Sequence, residues 1–256
     1  MNVGDCKLKF VWNLYLGYCI FMDILDVRID NLTKDEIILK IKGYLNEPKF
    51  HQIATVNAEF ILQAQEDSKF KNILNNCDLN VADTISIRYA FLRFGKWLKA
   101  RIAGADLMQE ILKIANEKKL SVFLAINKNG LSSYEEIRNT LSSKYPNIEF
   151  GGANLNPLDF SSYDIQNTKY EILLCNFGAP FQEKFINSVK DAKISVAMGV
   201  GGSFDFITGK VKRAPKIMRY FGLEWLWRLV LQPNRWKRIW NVVVIFPIKI
   251  IFNLKK

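Results

Sequence analysis

Six short apolar runs punctuate the chain and constrain its fold more than any other feature. They are QIATVN (52–57), DLNVA (78–82), LSVFLAI (120–126), NIEFGG (147–152), EILLCNFG (171–178) and ISVAMGVGG (194–202). Each ends at or near Asn, Asp or Gly, as strands buried on both faces do. Longer helical patterns separate them, over 58–75, about 84–95, 105–118, 131–144 and 180–190. In the first, Phe60, Ala64 and Phe70 to Leu74 give a helical stripe. Repeated strand–helix order predicts an α/β fold, a parallel sheet with helices on both faces. At 256 residues and 49% hydrophobic, the chain can bury one substantial core, and no internal repeat or low-complexity linker divides it.

In such sheets ligands bind beyond the carboxyl ends of the strands. Asn57, Asp83, Asn127, Asn176, Gly178 and the turn 199–202 are therefore the candidates. In TVNAEF, Thr55 and Asn57 stand just before a helix, where hydroxyl, amide and free backbone N–H groups could hold sugar or phosphate oxygens; Asn57 could equally be a helix N-cap. In VADT, Asp83 is either a cap or a carboxylate where a general base would sit. RIAGADL offers Arg101 before a helix, with Asp106 a capping residue. In NFGAPFQEKF, Gln182 could bond a base or sugar edge, while Glu183 complements the helix dipole. In GVGGSFDFITGKVKRAP, Gly199, Gly201 and Gly202 let backbone approach a ligand closely, and Phe204 and Phe206 read as core. There is no GxGxxG and no P-loop ending, so neither dinucleotide nor P-loop chemistry is indicated.

Charge is segregated. Residues 210–256 hold 12 Lys/Arg against one acid, Glu224, whereas the first 209 residues hold 24 basic and 24 acidic groups. A neutral body with a cationic tail suits an enzyme carrying an attachment device better than a nucleic-acid module with a basic face. Four scattered cysteines without a CxxC pair, and the single His51, indicate neither a zinc site nor a disulfide framework; His51 reads as a structural or surface residue rather than a catalytic one. No Asp-x-Asp triplet is present to hold a divalent ion, so no metal is expected, and charge on a departing diphosphate must be met by arginines or N–H groups. The apolar runs 10–22 and 242–252 are both too short for a span of about 20 residues. The expected organisation is an N-terminal extension (1–19), a catalytic body (20–209) and a basic, aromatic helical appendage (210–256).

Within the appendage, NRWKRIW (234–240) interleaves cations with tryptophan. That combination suits single-stranded nucleic acid, a lipid headgroup layer or an anionic substrate. Trp225, Trp227, Trp236 and Trp240 make four of the six tryptophans, as an interfacial belt would. Arg228, Arg235 and Arg238 fall within about 80° of one helical face at 3.6 residues per turn, with Pro233 predicting a kink or a fresh helix start. The plainer reading is an amphipathic helix packed on its own body or on another copy.

Taken in order, TVNAEF, VADT, RIAGADL, SKYP, FGAPFQEKF, GVGGSFDFITGKVKRAP and GLEWLWRL make residues 20–240 resemble the WecG/TagA/CpsF glycosyltransferase family (glycosyltransferase family 26). The resemblance implies a Rossmann-like sheet and an inverting transferase needing neither metal nor cofactor. It would move N-acetylmannosamine or a related hexosamine from a UDP-sugar to a polyprenyl-diphosphate-linked saccharide, in teichoic acid, capsule or exopolysaccharide assembly. By the same resemblance Asp83 matches the aspartate of the family's Pro-Asp-Gly and is the expected base, although Ala82 and Thr84 replace its neighbours. Thr55, Asn57, Arg101 and Gln182 match donor-pocket positions. Arg228, Arg235 and Arg238 would close over the UDP diphosphate while the tail touches the anionic cytoplasmic face of the cell membrane, a peripheral location. Self-association through the apolar arm is expected without lipid. A membrane-associated UDP-sugar binder without turnover is the alternative; the neutral body disfavours a nucleic-acid partner.

Overall fold

A computed structural model describes residues 20–159 and 169–252. The extension expected over 1–19, with most of the apolar run 10–22, lies outside them. The chain enters through an antiparallel hairpin, β1 (Phe21–Ile24) and β2 (Val27–Asp30), followed by α1 (Lys34–Tyr44). Neither the hairpin nor this helix was expected from the sequence. Ile24 pairs with Val27, so the hairpin loop is just Leu25–Asp26, and both residues have positive φ (49° and 60°). That is the backbone of a two-residue primed turn, without the Asn-Gly or Asp-Gly that usually announces one. Tertiary contacts hold it: the Gln65 amide donates to the Leu25 carbonyl (2.8 Å) and the Asn75 amide to that of Asp26 (2.8 Å). α1 did carry a legible signal, the Thr33–Glu36 capping box, with both reciprocal bonds made.

The six strands read from the sequence are all present: β3 (His51–Val56), β4 (Leu79–Ala82), β5 (Ser121–Asn127), β6 (Glu149–Leu155), β7 (Ile172–Cys175) and β8 (Val196–Gly199). They form one parallel sheet in the order β4-β3-β8-β7-β5-β6. The helical pattern over 58–75 divides into α2 (Ala58–Glu66) and α3 (Ser68–Asn76), because Asp67 is extended and its carboxylate accepts the Phe70 N–H (3.0 Å), capping a fresh helix. α4 (Ile85–Arg93), α5 (Gly104–Lys118), α6 (Tyr134–Lys144) and α7 (Phe181–Ser188) follow the expected pattern, and α8 (Ser203–Ile207) leaves β8.

Side-chain alternation along the strands sorts the core into two layers. Ile53, Leu124, Leu174 and Met198 point to α1, α5, α6 and α8, where Ile41, Leu112, Leu141 and Phe204 are fully buried. Ala54 and Val56 point the other way, to the hairpin, α2, α3 and α4; farther along that face Phe123, Leu173 and Ala197 meet α7. The exits from neighbouring strands β3 and β8 therefore diverge, β3 into α2 on one face and β8 into α8 on the other. The crevice between them is the switch point where open α/β sheets bind ligands.

Beyond α8 the chain forms α9 (Lys216–Tyr220), α10 (Glu224–Leu231), a 3-10 turn (Pro233–Arg235), α11 (Trp236–Trp240), a π turn (Asn241–Ile245) and α12 (Phe246–Phe252). α12 is anchored on the body: Phe246 and Ile250 are buried in the same cluster as α2, α3 and α4. Among the described residues no helix is long and apolar enough to cross a membrane. Gly222 joins α9 to α10 at φ +72°, and a Cβ there would lie 2.6 Å from Cβ of Ile85 on α4. Gly222→Ala thus meets left-handed strain of about 1–2 kcal/mol plus a collision. It should lower the urea-unfolding free energy by roughly 1–3 kcal/mol and speed tryptic cleavage at the lysines and arginines of 210–219. Unchanged stability and cleavage would mean that this contact does not hold the arm.

Candidate active site

The site grows from the ends of β3 and β4. Thr84 is the N-cap residue of α4, but it makes no side-chain cap bond, and Asp83 does not cap its own helix either. The Asp83 carboxylate reaches across to α5, where Oδ1 accepts the Gly104 N–H at 3.0 Å. α5 needs it, because its own N-cap residue, Ala103, has no side-chain acceptor. Thr55, buried at the end of β3, lies underneath: a Cβ on Gly104 would stand 2.9 Å from Thr55 Oγ1. Glycine at 104 lets the helix start settle onto β3 and present its amide to Asp83. Asn57 is the N-cap of α2, its Oδ1 accepting the Phe60 N–H (3.1 Å).

Arg101 frames Asp83 on the other side. Its guanidinium donates to the Asp83 carbonyl (3.2 Å) and to the Arg219 carbonyl (3.1 Å), and stands 3.8 Å from the Glu224 carboxylate. Burial pushes the Asp83 carboxyl up to about 6; the Gly104 N–H opposes this, Glu224 adds to it, and Arg228 and Arg101 pull it down. A carboxylate with this ionisation is a competent base near neutral pH.

A second cationic group lies beside it. Arg213 makes a bidentate pair with Asp106 in the first turn of α5 (2.7 and 2.8 Å). The guanidiniums of Arg213 and Arg228 lie 6.0 and 5.4 Å from the centroid of the half-buried Phe206 ring, which is thus a cation platform as well as core. Nε of Arg213 and of Arg219 are buried without hydrogen-bond partners among the described residues. Arg213, Arg219 and Glu224 were missed as site residues. Arg213 stood within the quoted GKVKRAP segment, but only the fold brings it to Asp106.

The glycine turn after β8 is braced from within. The buried Gln182 side chain accepts the Gly178 N–H (3.1 Å) and the Gly201 N–H (3.0 Å) and donates to Glu183 (2.7 Å). Its polar atoms are thus engaged in shaping two loops. Gly199 is required by packing, since a Cβ there would lie 2.3 Å from Gln182 Nε2, whereas Gly201, at φ +49°, faces open space and Gly202 meets only Asp205 at 3.4 Å. Glu183 is buried, with its carboxyl pushed up to about 7 by desolvation against the Gln182 bond.

Arg228 and Arg238 do not share one continuous helical face. Pro233 starts a 3-10 turn that separates Arg228 on α10 from Arg238 on α11. Arg238 forms a bidentate pair with Glu59 of α2 (both 2.6 Å), and the Arg235 side chain lies outside the described structure. Trp236 and Trp240 are exposed; Trp225 and Trp227 are half-buried, and Trp227 Nε1 donates to the Lys212 carbonyl (3.1 Å). His51 is structural: it stacks on Tyr44 (3.9 Å) between Glu47 and Asp78 (3.1 Å each). Among the described residues no three His, Cys, Asp or Glu side chains cluster as metal ligands, and Cys77 and Cys175 are free and buried.

Known proteins share this sequence pattern. An N-acetylglucosaminyldiphosphoundecaprenol N-acetyl-beta-D-mannosaminyltransferase of Bacillus subtilis (strain 168) is 33% identical over 205 residues, 78% of this chain and 79% of the relative. The protein of that name from Staphylococcus aureus (strain MRSA252) is 32% identical over 240 residues, 90% of this chain and 91% of its own. The family model described as "Glycosyl transferase WecG/TagA/CpsF family" matches residues 22–256, including the strand ends, the Asp83 site and the tail. The chain belongs to that glycosyltransferase family.

Proposed function

We propose that this glycosyltransferase moves N-acetylmannosamine, or a closely related hexosamine, from its UDP-sugar to a saccharide carried on a polyprenyl diphosphate, with inversion and without a divalent metal. One observation carries the mechanism: a carboxylate pushed up to about 6 and held by a helix N-terminus stands among Arg101, Arg213 and Arg228 at the mouth of the sheet. The relatives' printed names support the choice of sugar and acceptor.

In this reading Asp83 takes the proton of an acceptor sugar hydroxyl. The oxygen attacks the anomeric carbon from the face opposite UDP; the bond to the diphosphate breaks, and its electron pair leaves on UDP. Guanidinium groups already in place meet that charge as it develops, which costs little reorganisation. Arg228, exposed beside the Phe206 ring, suits the diphosphate. Thr55 and Gly104 position the base, and Gln182 shapes the loops that border the donor. Arg238 holds the arm on α2 through Glu59 and comes free for the diphosphate only if that pair opens.

The test is UDP release from UDP-N-acetylmannosamine with a lipid-diphosphate N-acetylglucosamine acceptor, in EDTA. Asp83→Asn should lower turnover by about 10²–10⁴-fold, the range for loss of a general base, while UDP still binds. Wild-type turnover should fall as pH drops below about 6, where the base takes up its proton. Stability runs the opposite way. A carboxyl raised in the fold from an unfolded value of about 3.9 stabilises most when protonated, and that contribution is lost as pH rises through about 6. Asp83→Asn should therefore melt at or above the wild type at pH 7.5, with the difference gone below pH 4. UDP binding without turnover by the wild type, with any acceptor offered, would favour a silent binder.

The exposed Trp236 and Trp240 flank Lys237 and Arg238 and form the face we assign to the membrane. Each cation near an anionic leaflet adds on the order of 1 kcal/mol. Serine at both tryptophans should weaken binding to phosphatidylglycerol vesicles by about tenfold or more, burial of each aromatic side chain counting for about 1.5–3 kcal/mol. Vesicle affinity equal to wild type would place the membrane contact elsewhere.

A further inference from the structure

An apolar cavity of about 410 Å³ opens beside Asp83, and apart from Arg101 the mechanism above makes no use of its lining. One wall is α4, through Ile85, Tyr89 and Ala90; the other is the tail, through Trp225, Val243 and Phe246. Apart from Arg93, the charged lining groups gather at one end. Thr84, the residue after Asp83, lies there, as do Arg101, which bonds the Asp83 carbonyl, and Glu224, 3.8 Å from Arg101. α4 runs away from that end for about 12 Å, at 1.5 Å per residue, to Arg93, which also lines the cavity and has no ion-pair partner among the described residues. Leu92 in the last turn of α4, Phe94 and Trp97 just after it, and Ile251 and Phe252 of α12 are exposed apolar side chains.

A polar end at the reacting carboxylate, an apolar length and a cationic, aromatic outer rim match a head-and-tail molecule lying with its head at Asp83. We infer that this groove holds the first isoprene units of the polyprenyl acceptor, so that the C-terminal arm and α4 together select the lipid part of the substrate. The volume lies in the range of about 300–1,000 Å³ found for ligand pockets, which takes the head-proximal part of such a chain and not the whole. A second copy of this protein fits less well, since an apolar interface would not place Arg101 and Glu224 at one end only. The inference rests on the proposed acceptor class and adds the place where its lipid binds.

The experiment compares two acceptors, N-acetylglucosamine linked through diphosphate to a C5 or to a C15 prenyl chain, and reads the ratio of their kcat/KM values. Wild type should favour the C15 acceptor by about tenfold or more, each buried CH₂ counting for about 0.8 kcal/mol. Val243→Trp, which fills the groove from a partly exposed position, and Ile251→Asp on the exposed rim should bring the ratio to within about threefold of unity. A variant that merely loses folded protein lowers both rates and leaves the ratio alone. A wild-type ratio near one, or a ratio unaltered in both variants, overturns the inference.

If neither acceptor turns over, the proposed function fails, and the groove is judged by binding. A diazirine-bearing farnesyl diphosphate would be photolysed with the intact protein and the labelled peptides mapped. Labelling of 85–93 and 242–251 that Val243→Trp suppresses supports the groove. Labelling elsewhere, its abolition by an equal concentration of phosphatidylglycerol vesicles, or protection that grows with protein concentration through self-association would each overturn it.

Discussion

The contact on which the rest of the site depends is the one between the Asp83 carboxylate and the first-turn amide of α5. It joins the end of β4 to the start of a helix on the opposite face from α2, with Thr55 of β3 packed beneath. Three separate stretches of chain meet there, and each limits the others. Gly104 has no side chain because Thr55 Oγ1 occupies the space, and Ala103 needs no polar cap because Asp83 supplies the acceptor. The amide favours the ionised carboxylate while burial disfavours it, and burial prevails. The result is a group that binds its proton more tightly than a surface aspartate yet releases it near neutrality.

Around this carboxylate the fold assembles cations by two routes. Arg101 comes from the loop before α5, close in sequence to Asp83. Arg213, Arg219 and Arg228 come from the tail, more than a hundred residues later, and are held by Asp106, by the Phe206 ring and by the carbonyl contact with Arg101. The tail is therefore part of the site. Phe246 and Ile250 anchor its last helix in the core beside α4, and Arg238 ties α11 to Glu59 of α2. Loss of either anchor would move the arginines along with the arm, coupling the tail's position to the environment of the base.

The glycine-rich turn shows a different division of labour. Gln182 and Glu183 lie inside the protein: Gln182 Oε1 holds the turns at Gly178 and Gly201, and Glu183 accepts from the Gln182 amide. Two of the three glycines after β8 leave open space, and the third makes room for an amide. A motif read as one ligand-approach loop is thus two structures, an outer turn and its inner brace.

Much of this was legible from local pattern. Six apolar runs and their helical spacers give the parallel sheet, because strands buried on both faces cannot alternate with polar residues and still pack. Strand ends point to Thr55, Asn57, Asp83 and the glycine turn, because parallel strands open their ligand crevice at their carboxyl ends. The hairpin at 21–30 was not legible, since Leu25–Asp26 is a poor turn sequence that Gln65 and Asn75 hold from elsewhere in the chain. Which helix Asp83 caps, which acid each arginine faces, and that Pro233 separates Arg228 from Arg238 were settled only in three dimensions. Periodicity fixes how a segment buries its faces, whereas ion pairs and hydrogen bonds between distant segments depend on how those segments dock, and docking is a property of the packed core.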